Sequence, residues 1–389
     1  MKTFILIILI MMLSSCNKLI TSTVGKYYFN HIHNEGTVTE SEFYTEFPYE
    51  IKNNRIYLKV RQPETEKEYR FIFDTGGYSS ISESIINDFE GEIMDYQFST
   101  KDVNGYRVPQ TAFRLNTISI GSLIIKDKNI VVTSYPTKDF DGIIGADLLK
   151  GKIFVFNPIK KIIIITNNKE VIKKDLFNSW KLKKRWDMKY LIKTNKNKFI
   201  LDSGFDGFLS INEKSGKNEV LIEKKMKIAI EGASSVKSRK MVYLQLKNFS
   251  FKRICMDTAN ISVFSDFNEN LLGSHILHKG ITILDFINNK IYLKKNLKIK
   301  SIGNPPPIAG VYFGFFNGKV VVSQVDIKLE NINIEPLDIL LEINKIKINS
   351  KEYSNGSLQK IARLDVNHFV LERNGEKIEI DLTKKMLGL

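Results

Sequence analysis

Cysteine is nearly absent from this chain. Only Cys16 and Cys255 occur in 389 residues, which excludes a disulfide framework and leaves stability to buried cores. No stretch shows a long helical period, so a helical bundle is not expected. The five histidines form no metal set: His275 and His278 share a short stretch without a third ligand, and His31 and His33 lie near the start of the chain. No histidine accompanies Ser82 or Ser210 at a spacing that suggests a serine triad. The formal charge of +15 is carried by lysines scattered among Asn and Ile, with no basic helix and no aromatic–basic array. That pattern excludes nucleic acid as the expected partner and implies a solvated basic surface suited to anionic headgroups.

What is present begins at the N-terminus. Lys2 precedes an apolar run from Phe4 to Leu13, too short to span a bilayer, and Leu13-Ser14-Ser15-Cys16 follows directly. This segment resembles the lipobox of bacterial lipoproteins. The resemblance implies a signal peptide over 1–15, lipidation of Cys16, and a linker over 16–48. It also implies a body tethered to the bacterial cell envelope, facing the periplasm or the exterior. With Cys16 lipidated, no intramolecular disulfide remains.

Short runs rich in β-branched and aromatic residues recur between turn signals, as at Arg55–Val60, Tyr69–Phe73, Ile162–Ile165 and Lys290–Leu293. They predict an all-β body. The chain also repeats itself. Phe71-Ile72-Phe73-Asp74-Thr75-Gly76 is echoed by Phe199-Ile200-Leu201-Asp202-Ser203-Gly204, and Ile143-Ile144-Gly145 by Leu271-Leu272-Gly273. Both echoes are displaced by 128 residues, and each Asp lies 71 residues before its partner glycine. Ile81-Ser82 maps onto Leu209-Ser210 and Lys152–Asn157 onto Gly280–Asp285 at the same displacement. The spacing predicts a duplicated unit over 49–170 and 171–300. The polar, basic stretch Asn167–Arg185 reads as the crossing between the two copies, and Pro305-Pro306-Pro307 as a second boundary.

An apolar pair followed by Asp-Thr/Ser-Gly, with two aliphatics and Gly downstream, resembles the pepsin and retropepsin superfamily of aspartic proteases, and Asp141–Leu149 looks like its bacterial retropepsin-like members. The resemblance covers roughly 50–298 and implies two β-barrel lobes with Asp74 and Asp202 as paired catalytic carboxylates. Chemistry points the same way. Gly76 and Gly204 let two loops approach closely, Thr75 and Ser203 can bond across the axis, and Ile144-Gly145 with Leu272-Gly273 would support the loops from beneath. Two adjacent carboxylates share one proton, so a water can be activated without a metal or cofactor. Gly77 and Phe205 stand where pepsin-like enzymes carry a hydroxyl that depresses the pair's pKa, so a pair titrating higher is expected. Two flaps are expected. One carries the Asn104-Gly105 turn beside Tyr106, and the other lies over Glu231–Ser235 around Gly232.

Residues 308–389 resemble a PDZ domain, a small β-domain with one or two helices. Phe313-Gly314-Phe315 looks like its carboxylate-binding turn, which implies capture of a peptide C-terminus. Pro336–Asn344 looks like that family's Pro-Gly-Asp stretch, with Leu337 and Lys345 standing where it has glycine. The expected function is an aspartic-type endopeptidase, monomeric, acting on peptides or exported proteins. The alternative is a catalytically silent envelope lipoprotein that binds peptides in the same cleft.

Overall fold

The computed structural model describes His33 and residues 36–102, 104–136, 139–194, 197–212, 220–231, 235–264, 269–295, 298–302, 310–329, 331–349, 358 and 366–383. The expected leader and lipidation site at Cys16, His31, Gly232 and the three prolines at 305–307 lie outside the described residues.

The protein is all-β. Its strands follow from alternation: in Glu68–Asp74, Tyr69, Phe71 and Phe73 are buried on one face, while Arg70 and Asp74 are partly exposed on the other. Arg55–Arg61 pairs antiparallel with it, from Tyr57 opposite Ile72 to Arg61 opposite Glu68.

The duplicated sequence folds into a duplicated strand exchange. In the first half Gly142–Gly145 lies parallel to Glu68–Asp74, with Gly145 opposite Asp74, and antiparallel to Ser80–Ser82. Ser80–Ser82 in turn runs parallel to Leu123–Thr133. In the second half Asn270–Leu272 lies parallel to Lys198–Leu201 and antiparallel to Leu209–Ile211, which runs parallel to Ile254–Val263. Each half also carries a long antiparallel meander: Gly91–Lys101 with Arg107–Ile120 and on to Leu123–Thr133, and Val220–Glu231 with Val236–Phe251 and on to Ile254–Val263.

The halves share a sheet. Ile153–Asn157 pairs antiparallel with Thr282–Asp285, and the register sets Val155 opposite Ile283. Those two residues are 128 apart in sequence, so the pseudo-twofold axis passes through this pair. Ile162–Thr166 and Lys290–Lys294 flank the centre, and Tyr44–Pro48 and Phe177–Lys184 complete the edges. Both edge strands fall within stretches that the sequence suggested were connections. Lysines on the outer face of Phe177–Lys184 make it look like a linker, yet Leu182 is buried and Trp180 packs on the core.

One apolar core runs beneath both halves. Phe73 lies 5.2 Å, ring centre to ring centre, from both Phe154 and Phe156; Phe154 is 5.9 Å from Phe286, which reaches Tyr190 at 4.6 Å. A separate core of Val311, Val322, Leu340, Phe369 and Leu382 belongs to the C-terminal strands. There Leu337 and Lys345, which stand where the resemblance has glycine, take the left-handed conformation themselves, at φ +80° and +67°, with Asn344 at +52°. The expected turn at Phe313-Gly314-Phe315 is extended strand instead, because Val311–Phe316 pairs antiparallel with Lys319–Asp326 past a bulge at Tyr312–Phe313, Gly314 lying opposite Val321. Leu358 is helical; the rest of 350–365 lies outside the described residues. Among the described residues no helix is long and apolar enough to cross a membrane.

Candidate active site

Asp74 closes the strand Glu68–Asp74, and Asp202 follows the strand Lys198–Leu201 directly. In each case the parallel neighbour ends beside it: Gly145 is opposite Asp74, and Asp202 N–H donates to Leu272 O at 2.9 Å. The chain then turns sharply and cannot carry bulk. A Cβ on Gly76 would come within 2.4 Å of the Asp202 carboxyl carbon, and one on Gly204 within 2.5 Å of that of Asp74. Glycine is required here by the approach of the opposite loop. Gly145 is pressed against the segment that follows the first loop, where a Cβ would meet Tyr78 backbone at 2.2 Å, and Gly273 likewise against Gly207 O at 2.3 Å. Ile144 and Leu272 are buried beneath the loops.

Thr75 and Ser203 tie the loops together. Thr75 N–H donates to Ser203 Oγ and Ser203 N–H to Thr75 Oγ1, both at 3.0 Å. Their hydroxyls donate onward to the opposite strands, Thr75 to Leu201 O at 2.7 Å and Ser203 to Phe73 O at 2.8 Å. Four bonds therefore cross the axis, and every buried polar atom involved is satisfied.

The carboxylates receive backbone donors. Asp74 Oδ1 accepts from Gly76 N–H at 2.8 Å, Gly77 N–H at 3.1 Å and, from the other loop, Gly204 N–H at 3.2 Å. Asp202 Oδ1 accepts from Gly204 and Phe205 N–H, each at 3.1 Å. The Gly204 N–H thus reaches both carboxyls, which face each other across the two loops. Burial, then the charge of Asp74, lift the Asp202 carboxyl from the ordinary range to about 7, while Lys189 and the Phe205 N–H pull the other way. Gly77 and Phe205 do lack hydroxyls, as the sequence indicated. The rise itself comes from enclosure and the partner carboxylate, and position 77 has no room for a side chain: a Cβ there would lie 2.6 Å from Asp74 Oδ2.

Several residues around the pair carried no signal in the sequence. Tyr135 Oη and Ser80 Oγ are 2.6 Å apart beside Asp74, whose charge adds to burial in raising the tyrosine's pKa. Beneath the first loop, Lys128 and Asp147 form a fully buried ion pair at 2.6 Å. Burial opposes Asp147's ionisation, but the charge of Lys128 and the hydrogen bonds from Lys128 and Ser79 hold its carboxyl below the usual range. Asp147 Oδ1 accepts from Ser79 N–H at 2.8 Å and Ser79 Oγ at 2.7 Å, and that hydroxyl accepts from Gly145 N–H at 3.0 Å. At the equivalent places the second half has Met256, His275 and Gly207, so the Lys128–Asp147 pair is not repeated there. His33 stacks on Tyr78 at 4.3 Å, with its pKa lowered by burial to about 4. His275 and His278, 6.0 Å apart, are lowered by burial to about 3 and about 4 and serve as packing residues.

The expected flap residues meet across the cleft. Asn104 is buried, and its Nδ2 donates to Ile230 O at 3.0 Å, Ser235 O at 3.2 Å and Ser235 Oγ at 3.0 Å. Ser235 Oγ also donates to Asp102 Oδ2. Gly105 adopts φ +83° at the turn. Tyr106 is 53 % exposed, so its ring does not cover the carboxylates here.

No family model matches the chain, and no curated protein matches it. Among solved structures it is similar to basic 7S globulin from soybean, at 8% identity and a TM-score of 0.37, over 64% of this chain and 94% of that one. A likeness of that size carries no argument about the site.

Proposed function

We propose that the protein is an aspartic-type endopeptidase that hydrolyses peptide bonds of peptides or exported proteins. The observation that supports this reading best is that one donor, Gly204 N–H, reaches Oδ1 of both Asp74 and Asp202, so that the carboxyls face each other, with burial and the charge of Asp74 raising Asp202 to about 7. Such a pair retains a single proton near neutral pH. In the proposed reaction Asp74 takes a proton from water as its oxygen attacks the peptide carbonyl carbon, and Asp202 delivers its proton to the carbonyl oxygen. The diol then collapses. The C–N bond breaks, Asp74 returns its proton to the leaving nitrogen, and Asp202 recovers one from a hydroxyl. One water is consumed and no covalent intermediate forms.

The Thr75–Ser203 crossing supports the same reading, because it holds both carboxyls in place before substrate arrives. The tethered location, with the lipid on Cys16 in a bacterial envelope membrane, belongs to the same proposal, as does a monomeric state. Capture of a peptide C-terminus at Phe313-Gly314-Phe315 would use the edge of Val311–Phe316 that faces away from Lys319–Asp326.

The test is peptide-library cleavage by residues 17–389 at several pH values, with Asp74→Asn and Asp202→Asn alongside. Loss of roughly a thousandfold or more in kcat/KM in each variant is expected. Equal background in wild type and both variants would leave a peptide-binding protein in its place.

A further inference from the structure

The C-terminal domain is fastened to the two sides of the cleft in unequal ways. At its base, strand Lys319–Asp326 extends the second-half hairpin by antiparallel pairing, with Met226 opposite Asp326, Lys227 opposite Val325 and Ile228 opposite Gln324. An apolar seam backs the ladder: Tyr312 packs with Met226, Met241, Tyr243 and Phe264. Lys227 pairs with Glu335, and Lys224 lies 3.8 Å from Asp326. Backbone pairing over a buried seam is a durable attachment.

The far end of the same hairpin touches the first half lightly. Asn53 Nδ2 donates to Phe315 O at 3.4 Å, Asn317 Nδ2 donates to Pro136 O at 3.4 Å, and Lys52 Nζ sits 3.7 Å from the centre of the Phe315 ring. Among the described residues the contacts there include two long hydrogen bonds and one cation–π contact, none of them deeply buried.

That light contact borders the reacting face. Ile72 shares the Asp74 side of strand Glu68–Asp74, and it clusters with Tyr57, Phe140, Tyr135 and Ile143. Pro136 follows Tyr135, whose hydroxyl bonds Ser80 beside Asp74. The C-terminal hairpin thus starts on the second hairpin and ends at the rim of an apolar patch next to Asp74.

We propose that the tip Phe315–Asn317 is a specificity-determining latch: seated on Lys52, Asn53 and Pro136, it bars chains that must run outward past that rim. Short peptides fit beneath it. Long chains enter only when the tip lifts, and because the base is paired to Val220–Glu231, the tip lifts together with the second hairpin. The inference rests on the endopeptidase reading of the cleft.

The experiment uses the full chain with Cys255→Ser and the pair Asn53→Cys/Asn317→Cys, joined by a short bis-maleimide, beside an Asn53→Ala/Asn317→Ala variant. Intramolecular joining in high yield is expected; failure to join would mean the tip is not seated and would overturn the latch. The joined protein should cleave a hexapeptide within about twofold of wild type yet lose roughly tenfold or more on a long disordered protein such as casein. The alanine variant should gain several-fold on casein alone. Asp74-dependent cleavage with an unchanged ratio between the two substrates sinks the latch and spares the peptidase. Absence of any Asp74-dependent cleavage removes both.

Discussion

Thr75 and Ser203, 128 residues apart in the chain, each donate a backbone N–H to the other's hydroxyl at 3.0 Å. The symmetry of this exchange makes it the joint of the molecule. Each side chain completes the other loop's hydrogen bonding, so neither loop is satisfied alone. Thr75→Val or Ser203→Ala should each cost about 1–3 kcal/mol, since a buried N–H and a strand carbonyl lose their partner. Because the two act as one unit, the double variant should cost clearly less than the sum. Urea unfolding of the four proteins measures this, and strict additivity would show that the two sides are independent.

The raised carboxyl of Asp202 predicts a dependence on pH in both rate and stability. Hydrolysis should decline as pH rises through about 7, where the shared proton is lost. In stability, a folded-state value above the unfolded one means that folding takes up a proton between roughly pH 4 and pH 7. The contribution is full below about 4 and is lost as pH rises through about 7. Asp202→Asn cannot ionise, so relative to wild type it should gain on the order of 2–4 kcal/mol between about pH 4 and pH 8. A difference that stays constant with pH would show that burial does not hold this group protonated.

The buried pair of Lys128 and Asp147 predicts an asymmetric sensitivity. Lys128→Met copies the residue at the equivalent place in the second half, Met256, but strands a buried carboxylate. A loss of about 3–5 kcal/mol is expected, partly recovered by adding Asp147→Asn. Thermal unfolding with and without the second change is the measurement. An unchanged melting temperature in Lys128→Met would mean that the pair is not under strain from burial.

Leu337 occupies the left-handed region at φ +80°, a conformation that opposes a side chain by about 1–2 kcal/mol. Leu337→Gly should therefore stabilise the C-terminal domain by about 1 kcal/mol, after allowance for glycine's extra freedom in the unfolded chain. Hydrogen exchange in strand Ile339–Ile343 should slow accordingly; faster exchange would show that the leucine's packing outweighs its backbone cost.

Much of this was legible in the chain. Alternation marked the strands, since residues such as Phe71 and Phe73 must share a buried face. The repeat at 128 brought Asp74 and Asp202 together on paper, because two copies of one strand exchange meet most simply about a twofold axis. The glycines at 76, 204, 145 and 273 were legible for a similar reason: a side chain at any of them would strike the neighbouring loop.

The strand Phe177–Lys184 was hidden because its lysines face outward, and pairing with Lys290–Lys294 and Tyr190–Lys193 makes it a strand. Lys128 looked like any other lysine; its partner Asp147 lies on another element, and burial alone turns the two into a support for the Asp74 loop. Nor could periodicity show that Asn104 would reach Ser235, or that the C-terminal hairpin would span the cleft. The sequence by itself determined which residues must be buried, which must be small, and that two carboxylates recur in one frame, because those follow from local sterics and repetition. The tertiary structure alone decided what stands around the carboxylates and how the cleft is closed, because those depend on distances between segments that no local pattern records.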